Sequence, residues 1–380
     1  MIPRTLTNKA QSLLTKFPIV SISGPRQSGK TTFSRLVSPD FEYVNVELPD
    51  QRLLAERDPR SFLEQHSNKV ILDEVQNVPH LFSYIQVFSD ERNTSGQYIL
   101  TGSQNFLLME KITQSLAGRV AILTLLPLSY FEIPEKPSIE DFIFTGGYPR
   151  IIHNQAPPED FFPTYIQSYI ERDVRQLIQV QNLSLFQNFL LLLAGRAGQV
   201  FNASALANEL GVNHQTVESW VSVLEASYVV FRLRPYYKNF NKRITKAPKL
   251  YFYDTGLLCY LLGLRRADDL TRHFAKGAIF ENFVILETMK MHYNQGRRPQ
   301  IYYWRDSNEN EVDLLIQDGM YLKAVEIKAG KTVNTDFFKG LKYFKKIAPE
   351  AQSILIYGGD ESQTRTDTQV YAVKDMDRLI

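Results

Sequence analysis

The chain has very little cysteine and no long apolar run. Cys259 is the only cysteine among 380 residues, which excludes a disulfide framework and any metal cluster built on cysteine. The longest obvious apolar run, residues 189–194, is much too short to span a bilayer. The first residues, 1–6, lack the apolar core of a signal peptide. We therefore expect a cytoplasmic protein with no membrane contact.

The chain also lacks an excess of charge of either sign. Its 43 Lys and Arg residues nearly balance 41 Asp and Glu residues, which leaves a formal net charge of +2 at pH 7. This balance predicts no general affinity for nucleic acid, so any DNA contact must come from a local cluster. The six histidines show no metal-ligand spacing. A length of 380 residues predicts two or three domains.

The most informative segment is a phosphate-binding loop, the P-loop, at residues 24–31. It reads Gly-Pro-Arg-Gln-Ser-Gly-Lys-Thr and matches G-x-x-x-x-G-K-[ST] without a mismatch. The apolar run before it, residues 18–23, predicts a buried strand, and a loop between a strand and a helix presents backbone amides to phosphates. The alternative is a glycine-rich structural turn. The expected nucleotide-binding residues are Gly24, Pro25, Arg26, Gln27, Ser28, Gly29, Lys30, Thr31, Thr32 and Asp73.

Two consecutive acids, Asp73 and Glu74, follow a second apolar run at residues 69–72. A fully apolar run is typical of a parallel strand that is covered on both faces. We expect Asp73 to hold Mg²⁺ together with the hydroxyl of Thr31, while Lys30 contacts the β- and γ-phosphates. Glu74 is placed to activate the attacking water, which favours hydrolysis over a kinase reaction. The alternative is that the two acids only cap the following turn.

A third strand at residues 97–105 ends in small polar residues. If this strand lies between the first two, Thr101 or Ser103 lies near the γ-phosphate and can orient water or sense phosphate loss. Residues 43–47 and 120–124 complete five strands that alternate with helical stretches. This order predicts an α/β fold with a doubly wound parallel P-loop sheet.

Two arginines are candidates for contact with the transferring phosphoryl group. Arg119 ends Leu-Ala-Gly-Arg, just before the last strand, and could complete the active site of a neighbouring subunit in a homo-oligomer. The alternative is a surface arginine with a local partner. Arg150 ends Gly-Gly-Tyr-Pro-Arg at residues 146–150 and is the weaker candidate.

This series of motifs resembles the AAA+-type ATPase family, in particular bacterial and archaeal members with a C-terminal domain of unknown function. The resemblance covers nearly the whole chain, and its motifs are most specific in the first half. It implies ATP binding with slow hydrolysis, and an association with DNA.

The middle of the chain has the spacing of a winged helix-turn-helix. After a linker at residues 157–160 and a helix at 161–181, Asn202 and Asn213 can cap two helices that are separated by a sharp turn at Gly211. Strands at 228–233 and 249–254 follow. In such a unit the second helix can enter the major groove of DNA. The outward face of that helix carries His214, Gln215, Glu218 and Ser219.

A basic segment follows the second helix and contains no acid. Phosphate neutralisation combined with aromatic stacking predicts DNA contact there. The alternative is a unit that serves only packing or a protein interface. The basic residues are Arg232, Arg234, Lys238, Lys242, Arg243, Lys246 and Lys249, interleaved with Phe231, Tyr236, Tyr237 and Phe240.

The C-terminal segment contains Asp313 and, 13 residues later, Glu326-x-Lys328. With a helix at 277–287 and strands at 301–305, 311–316 and 321–328, it resembles the small α/β fold of PD-(D/E)xK nucleases. The resemblance implies that the two carboxylates hold a second divalent metal, that Lys328 positions water, and that Glu281 is a third acid. Since fold does not grant activity, a relic that only binds partners and a coincidence of charges stay open.

The sequence therefore predicts an ATP- and Mg²⁺-dependent ATPase that binds DNA through its C-terminal half. One alternative is an ATP-gated, metal-dependent DNA nuclease. The other is a non-catalytic, ATP-driven oligomeric switch with a protein-interaction tail. The expected domains are an ATPase domain at 1–155, a helical linker and winged helix at 156–268, and a nuclease-like domain at 269–380.

Overall fold

The fully apolar runs of the first third of the chain form a parallel sheet. The structure is a computed structural model that describes residues 2–67, 69–103, 115–170, 183–236 and 247–380. The strand order is β2-β3-β4-β1-β5, and all neighbours are parallel. β4 lies between β1 and β3, and this is the strand order under which Thr101 is expected to lie near the γ-phosphate. The strands are β1 (Ile19–Ser23), β2 (Glu42–Asn45), β3 (Val70–Asp73), β4 (Tyr98–Gly102) and β5 (Val120–Thr124).

Helices cover both faces of this sheet. Since successive side chains of a strand point to opposite faces, Val20 packs with Phe33 on one side, whereas Ile19 packs with Phe82 on the other. Two covered faces explain why the strands are apolar throughout. The parallel α/β sheet predicted from the sequence is confirmed. The helices are α1 (Thr7–Leu14), α2 (Lys30–Val37), α3 (Pro49–Arg57), α4 (Pro59–Gln65) and α5 (Leu81–Arg92).

The middle of the chain is mainly helical. The predicted linker at 157–160 is wrong, because Pro158 opens a helix in which Glu159 and Asp160 occupy the first turn. The predicted helix at 161–181 can be compared only as far as residue 170, since the rest lies outside the described residues. The elements are α6 (Ile139–Thr145), α7 (Pro149–Ile152), α8 (Pro158–Tyr165), a π-helical turn (Ile166–Ile170), α9 (Leu183–Ala194), α10 (Ala203–Leu210), α11 (His214–Ala226), β6 (Val230–Leu233), β7 (Lys249–Phe252) and α12 (Thr255–Leu261).

The two predicted asparagine caps are present. The Asn202 side chain accepts a hydrogen bond from the Ala205 amide at 3.0 Å, and that of Asn213 accepts one from the Thr216 amide at 2.7 Å. The helix pair is followed by the antiparallel pair β6–β7. These elements have the predicted order, and their assignment to a winged helix stays a prediction.

The C-terminal segment contains a six-stranded sheet in the order β12-β13-β11-β10-β9-β8. β8, β9 and β10 form an antiparallel meander, and β11 returns parallel to β10 after α14. The final hairpin, β12–β13, was not predicted, because the residues of β12 are exposed and polar. The elements are α13 (Lys276–Asn294), β8 (Ile301–Arg305), β9 (Glu311–Asp318), β10 (Tyr321–Lys328), α14 (Lys339–Ile347), β11 (Gln352–Tyr357), β12 (Gln363–Arg365) and β13 (Thr368–Ala372).

Short 3-10 helices connect several of these elements. None of the helices within the described parts of the chain is both long and apolar enough to cross a membrane. The 3-10 helices are Val75–Asn77, Tyr130–Glu132, Ala267–Thr271, Thr335–Phe338 and Val373–Leu379.

One large apolar core joins the later parts of the chain. It contains buried side chains from Leu126 to Leu379, and therefore includes residues on both sides of the boundaries predicted at 155 and 268. The division into three domains stays a prediction. A shared core of this kind favours a fixed packing of the middle and C-terminal segments.

Buried polar groups of the C-terminal half anchor the stretch of residues 126–150. The Glu287 carboxylate accepts hydrogen bonds from the Ser129 hydroxyl at 2.6 Å and from the Tyr130 amide at 2.9 Å. Lys290 donates to the Leu128 carbonyl and to Glu287, at 2.9 and 2.8 Å. Since Glu287 and Lys290 are at most 2% exposed, removal of either would leave a buried charge unpaired.

Candidate nucleotide-binding site

The P-loop leaves the end of β1 and enters α2 in a conformation that depends on glycine. Gly24 has φ +156°, and a Cβ atom at this position would lie 2.1 Å from the Leu125 carbonyl oxygen. Gly29, at the start of α2, has φ +92°. The first N–H groups of a helix have no acceptor within that helix, so the loop and the start of α2 present free donors on one side.

Lys30 is buried in the loop that precedes it. Its ammonium donates to the carbonyl oxygens of Gly24 at 3.0 Å and of Pro25 at 2.8 Å. Burial lowers the pKa of Lys30 to about 8, although the carboxylates of Glu74 and Asp73 act in the opposite direction. A phosphate group beside this ammonium would favour its charged form, so the position suits a polyphosphate.

Asp73, the last residue of β3, is at the centre of a hydrogen-bond network. Its Oδ2 accepts from the Thr31 hydroxyl at 2.8 Å and from the Tyr43 hydroxyl at 2.7 Å. Its Oδ1 accepts from the Thr101 hydroxyl. The structure therefore brings Thr31, Asp73 and Thr101 together across α2, β3 and β4. Hydroxyl and carboxylate oxygens are the ligands that Mg²⁺ prefers, so this set fits the metal.

Glu74 lies beside this network in a strained backbone conformation. Its φ of +55° is in the left-handed region, which is costly for a residue other than glycine and is found mainly where a function maintains it. Its Oε2 accepts hydrogen bonds from the Ser103 hydroxyl at 3.0 Å and from the Gln76 amide group at 2.5 Å. These donors hold the carboxylate at the wall of the cavity next to the P-loop.

That cavity has a volume of about 570 Å³, within the range of small-molecule sites. The charged residues of its lining are Arg4, Arg26, Lys30, Arg150 and the single acid Glu74. The excess of positive charge favours an anionic ligand. Apolar side chains at the remaining wall suit the less polar part of such a ligand, and they include Ile2, Leu36, Leu128, Pro149 and Tyr169.

The two candidate arginines lie at opposite ends of the strands. Arg150 is near their carboxyl ends, and Arg119 is near their amino ends. Arg150 lines the cavity, and the neighbouring Pro149 contacts the P-loop, since a Cβ on Gly29 would lie 3.8 Å from its ring. Arg119 precedes β5, and its carbonyl accepts from the amide of Ile19 at the start of β1. Five strand residues separate that end from the P-loop, which is roughly 15 Å.

Arg119 also has a local partner, as the alternative to a role in a neighbouring subunit predicted. Its guanidinium donates to both carboxylate oxygens of Asp90, at 2.5 and 2.9 Å. Within its own chain Arg119 therefore does not reach the P-loop. A role in the site of a second subunit stays a prediction.

Two residues of the site were missed in the sequence. Arg4 donates to the carbonyl oxygens of Ser28 at 3.3 Å and of Leu126 at 2.7 Å, and so joins the P-loop to the wall of the cavity. Tyr43 holds Asp73 from the neighbouring strand. Neither belongs to a motif, so the sequence carries no signal for them.

The predicted C-terminal site residues also meet in the structure. The ammonium of Lys328 lies 2.5 Å from Glu326 Oε1 and 3.6 Å from Asp313 Oδ2. Asp313 accepts a hydrogen bond from the Ile327 amide at 2.8 Å. Burial, together with the nearby Asp313 carboxylate, raises the pKa of Glu326 and of Glu281. The four residues therefore form one carboxylate cluster.

A lysine from β7 enters this carboxylate cluster. The ammonium of Lys249 lies 3.0 Å from Glu281 Oε1 and 2.5 Å from Glu311 Oε1, and the residue is 4% exposed. Burial opposes the charged form, but the neighbouring carboxylates outweigh it and raise the pKa of Lys249. Across the described ranges, no group of three or more His, Cys, Asp or Glu side chains is arranged to hold a metal ion. Since the Lys249 ammonium already pairs with Glu281, these residues do not fit the predicted second metal.

The prediction of DNA contact by the basic segment is wrong for its buried residues Phe231, Tyr236 and Lys249, and for the half-buried Arg232 it stays a prediction. Phe231 and Tyr236 are each 5% exposed and cannot stack on bases. Arg232 is paired with Glu225 and Glu218, and Lys249 is buried in the carboxylate cluster. Arg234 is exposed. The others, Lys238, Lys242, Arg243, Lys246, Tyr237 and Phe240, lie outside the described residues.

Comparison with known families agrees with the geometry of the N-terminal site. Residues 16–134 match the family described as AAA domain. The segment that contains the P-loop, Asp73 and Glu74 is therefore similar to that family. Residues 136–268 and 276–376 match two families described as domains of unknown function, DUF8612 and DUF4143. A C-terminal match to a domain of unknown function, as the resemblance implies, follows the segment that matches the AAA domain.

Similar proteins occur in bacteria and archaea. Uncharacterized protein Rv2008c of Mycobacterium tuberculosis is 29% identical over 377 residues, which are 98% of this chain and 83% of the relative. Uncharacterized protein MJ1544 of Methanocaldococcus jannaschii is 24% identical over 332 residues, 78% of this chain and 71% of the relative. Both similarities are too long to be confined to residues 16–134.

Among solved structures, the Walker-type ATPase of Pyrococcus abyssi is 15% identical and covers 69% of this chain and 96% of its own, with a TM-score of 0.43. A TM-score at this level does not establish a shared fold.

Proposed function

We propose that the protein is a Mg²⁺-dependent ATPase whose ATPase domain hydrolyses ATP at the P-loop cavity. One observation carries the proposal. A cavity next to a complete P-loop is lined by four basic side chains and by Glu74, and the buried Asp73 precedes Glu74 and binds the Thr31 hydroxyl. Basic groups around a P-loop favour a polyphosphate, and the acid pair supplies the groups that hydrolysis needs.

Each side chain of the site has a separate role in this proposal. Lys30 contacts the β- and γ-phosphates, and Glu74 accepts a proton from the attacking water. Thr31 and Asp73 would hold Mg²⁺, which neutralises charge on the phosphates. The hydroxyls of Thr101 and Ser103 orient the two acids, because they donate to Asp73 and Glu74 respectively.

Arg150 is the better candidate for contact with the γ-phosphate within one chain. It lines the cavity, whereas Arg119 lies at the opposite end of the strands and pairs with Asp90. A contribution from Arg119 requires a second subunit whose P-loop faces it. We therefore propose a homo-oligomer in which Arg119 of one subunit contacts the nucleotide site of the next.

We further propose that the C-terminal half associates with DNA through the start of α11. His214 and Gln215 are exposed there, after a capped turn between two helices, as in DNA-reading helix pairs. The exposed Arg234 follows β6 and adds positive charge.

ATP hydrolysis should be faster with double-stranded DNA than without it, and the stimulation should fade as salt rises. The physical reason is that counterion release makes phosphate contacts sensitive to salt. Phosphate release should be measured with no DNA, single-stranded DNA and double-stranded DNA across a salt series, and His214→Ala/Gln215→Ala should lose the stimulation but keep the basal rate. A hydrolysis rate that is indifferent to DNA would favour the ATP-driven switch with a protein-interaction tail.

One observation favours the nuclease alternative. The structure gathers Glu281, Asp313, Glu326 and Lys328, and the meander β8–β10 with α13, α14 and β11 has the predicted helix-strand order. The position of Lys249 argues against nuclease activity, because its ammonium pairs with Glu281 and Glu311 inside the carboxylate cluster. We therefore propose that this cluster is an ionic contact between β7 and the C-terminal sheet.

The purified protein should not cleave DNA. Single- and double-stranded DNA should stay intact with Mg²⁺ or Mn²⁺, with and without ATP, because the Lys249 ammonium already occupies the carboxylate cluster. Gel analysis of end-labelled DNA tests this, with Asp313→Ala and Lys328→Ala as controls for contaminating nucleases. Cleavage that disappears in both variants would establish the nuclease alternative.

A further inference from the structure

Tyr228 joins the middle of the chain to the strand end from which the P-loop leaves. Its hydroxyl lies 3.0 Å from the hydroxyl of Ser23, the last residue of β1. Ser23 and Thr124 are directly paired in the sheet. Gly24, the first residue of the P-loop, follows Ser23.

The backbone of Tyr228 shows that this side chain is held against a conformational cost. Tyr228 follows the end of α11 with φ +56°, a conformation that favours glycine. The Tyr228 amide donates to the Glu225 carbonyl at 3.1 Å, and the Val229 amide donates to the Leu224 carbonyl at 2.8 Å. These two bonds define a Schellman motif, whose left-handed position most often carries glycine. A bulky aromatic residue there indicates that its side chain is needed.

The surroundings fix the ring of Tyr228 in one place. The residue is 4% exposed, and its ring packs edge-on against that of Tyr253 with centroids 5.4 Å apart. The next residue, Asp254, accepts a hydrogen bond from the Gly147 amide at 2.9 Å, in the segment that leads to Pro149 and Arg150 at the cavity. The same part of the chain therefore contacts both the base of the P-loop and the opposite wall.

We propose that Tyr228 is a positioning residue for the P-loop, supplied by the segment that follows α11. The inference rests on the proposed ATPase function. Tyr228 fixes the end of β1, and thereby the direction in which Gly24 and the loop amides leave the sheet. Since the loop binds ATP in the ground state and in the transition state alike, Tyr228 contributes mainly to ATP affinity.

Tyr228→Phe removes the hydroxyl and keeps the ring. It should raise both the Kd and the KM for ATP about three- to tenfold, the size expected for one buried hydrogen bond, and leave kcat within about twofold. Calorimetry with ATP and Mg²⁺, together with steady-state phosphate release from the full chain, measures both. Tyr253→Phe is the matched control, since its ring packs in the same place and, among the described residues, no hydrogen bond to its hydroxyl is found.

Ser23→Ala removes the hydroxyl that Tyr228 contacts, and so breaks the same hydrogen bond from its other partner. If Tyr228→Phe does not fold, the Kd and KM for ATP are measured for Ser23→Ala instead. The double variant should be no weaker in ATP affinity than Ser23→Ala alone, because Ser23→Ala already removes the hydrogen bond to Tyr228. Nucleotide-induced protection of residues 214–233 from hydrogen exchange should fall in Tyr228→Phe, because coupling is reciprocal.

The outcomes separate this inference from the ATPase function itself. Unchanged Kd and KM in Tyr228→Phe, full additivity with Ser23→Ala, or an equal effect of Tyr253→Phe would overturn the positioning role while the ATPase function stands. A wild-type protein that neither binds nor hydrolyses ATP would overturn both.

Discussion

Lys30→Ala should lower the affinity for ATP by at least about 100-fold, because it removes a charge-assisted contact to the phosphates. The Lys30 ammonium is buried between two loop carbonyls and lies beside the start of α2. No other lysine lines the cavity among the described residues, so no nearby ammonium can replace it. Calorimetric titration with ATP and Mg²⁺ measures the effect directly.

Lys16→Ala is a suitable control for this substitution, since Lys16 is exposed at the end of α1 and lies away from the cavity. Because Lys30 also holds the loop carbonyls, the melting temperature of each variant should be recorded beside the titration. A folded Lys30→Ala protein that binds ATP as tightly as wild type would contradict the assignment of the P-loop.

Glu74→Gln should retain ATP binding and lose hydrolysis by at least about 100-fold, the effect expected when a general base is removed. The glutamine carbonyl can still accept from Ser103 and Gln76, so the side chain should stay in place. The substitution therefore changes the chemistry of the group more than its position. Calorimetry for binding and phosphate release for turnover separate the two effects.

Glu64→Gln provides the control, because Glu64 is an exposed acid on α4 that pairs only with Arg60 among the residues described. It should leave both binding and turnover unchanged. Equal turnover of Glu74→Gln and wild type would refute the role of Glu74 as the base.

Most of the nucleotide-binding site could be predicted, because its sequence motifs are local. The P-loop, the acids after β3 and the polar end of β4 each lie in one short segment, and parallel strands bring their carboxyl ends to one edge of the sheet. Arg4 and Tyr43 could not be predicted, because their partners lie 24 or more residues away and no motif links them. Single-sequence patterns describe periodicity and spacing, and contain no direct information about such contacts.

The basic segment shows where prediction from local sequence fails. A run without acids predicted exposed cations, yet Lys249 meets Glu281 and Glu311, which lie 32 and more residues further along the chain. Local composition predicts the charge of a residue but not whether a distant carboxylate will neutralise it. Glu326 and Lys328 lie together because side chains two residues apart on a strand share a face. Asp313 is on a different strand, and only the resemblance to the nuclease fold implied that it would join them.

The buried pair Glu287–Lys290 has a consequence for genetics. A nonsense codon between α6 and α13 deletes both residues, and with them the supports of the Leu128–Tyr130 backbone beside the nucleotide cavity. Such an allele leaves every P-loop codon intact and should still behave as an ATPase-null allele. The map position of a loss-of-function mutation in this gene therefore does not reveal which activity it has removed.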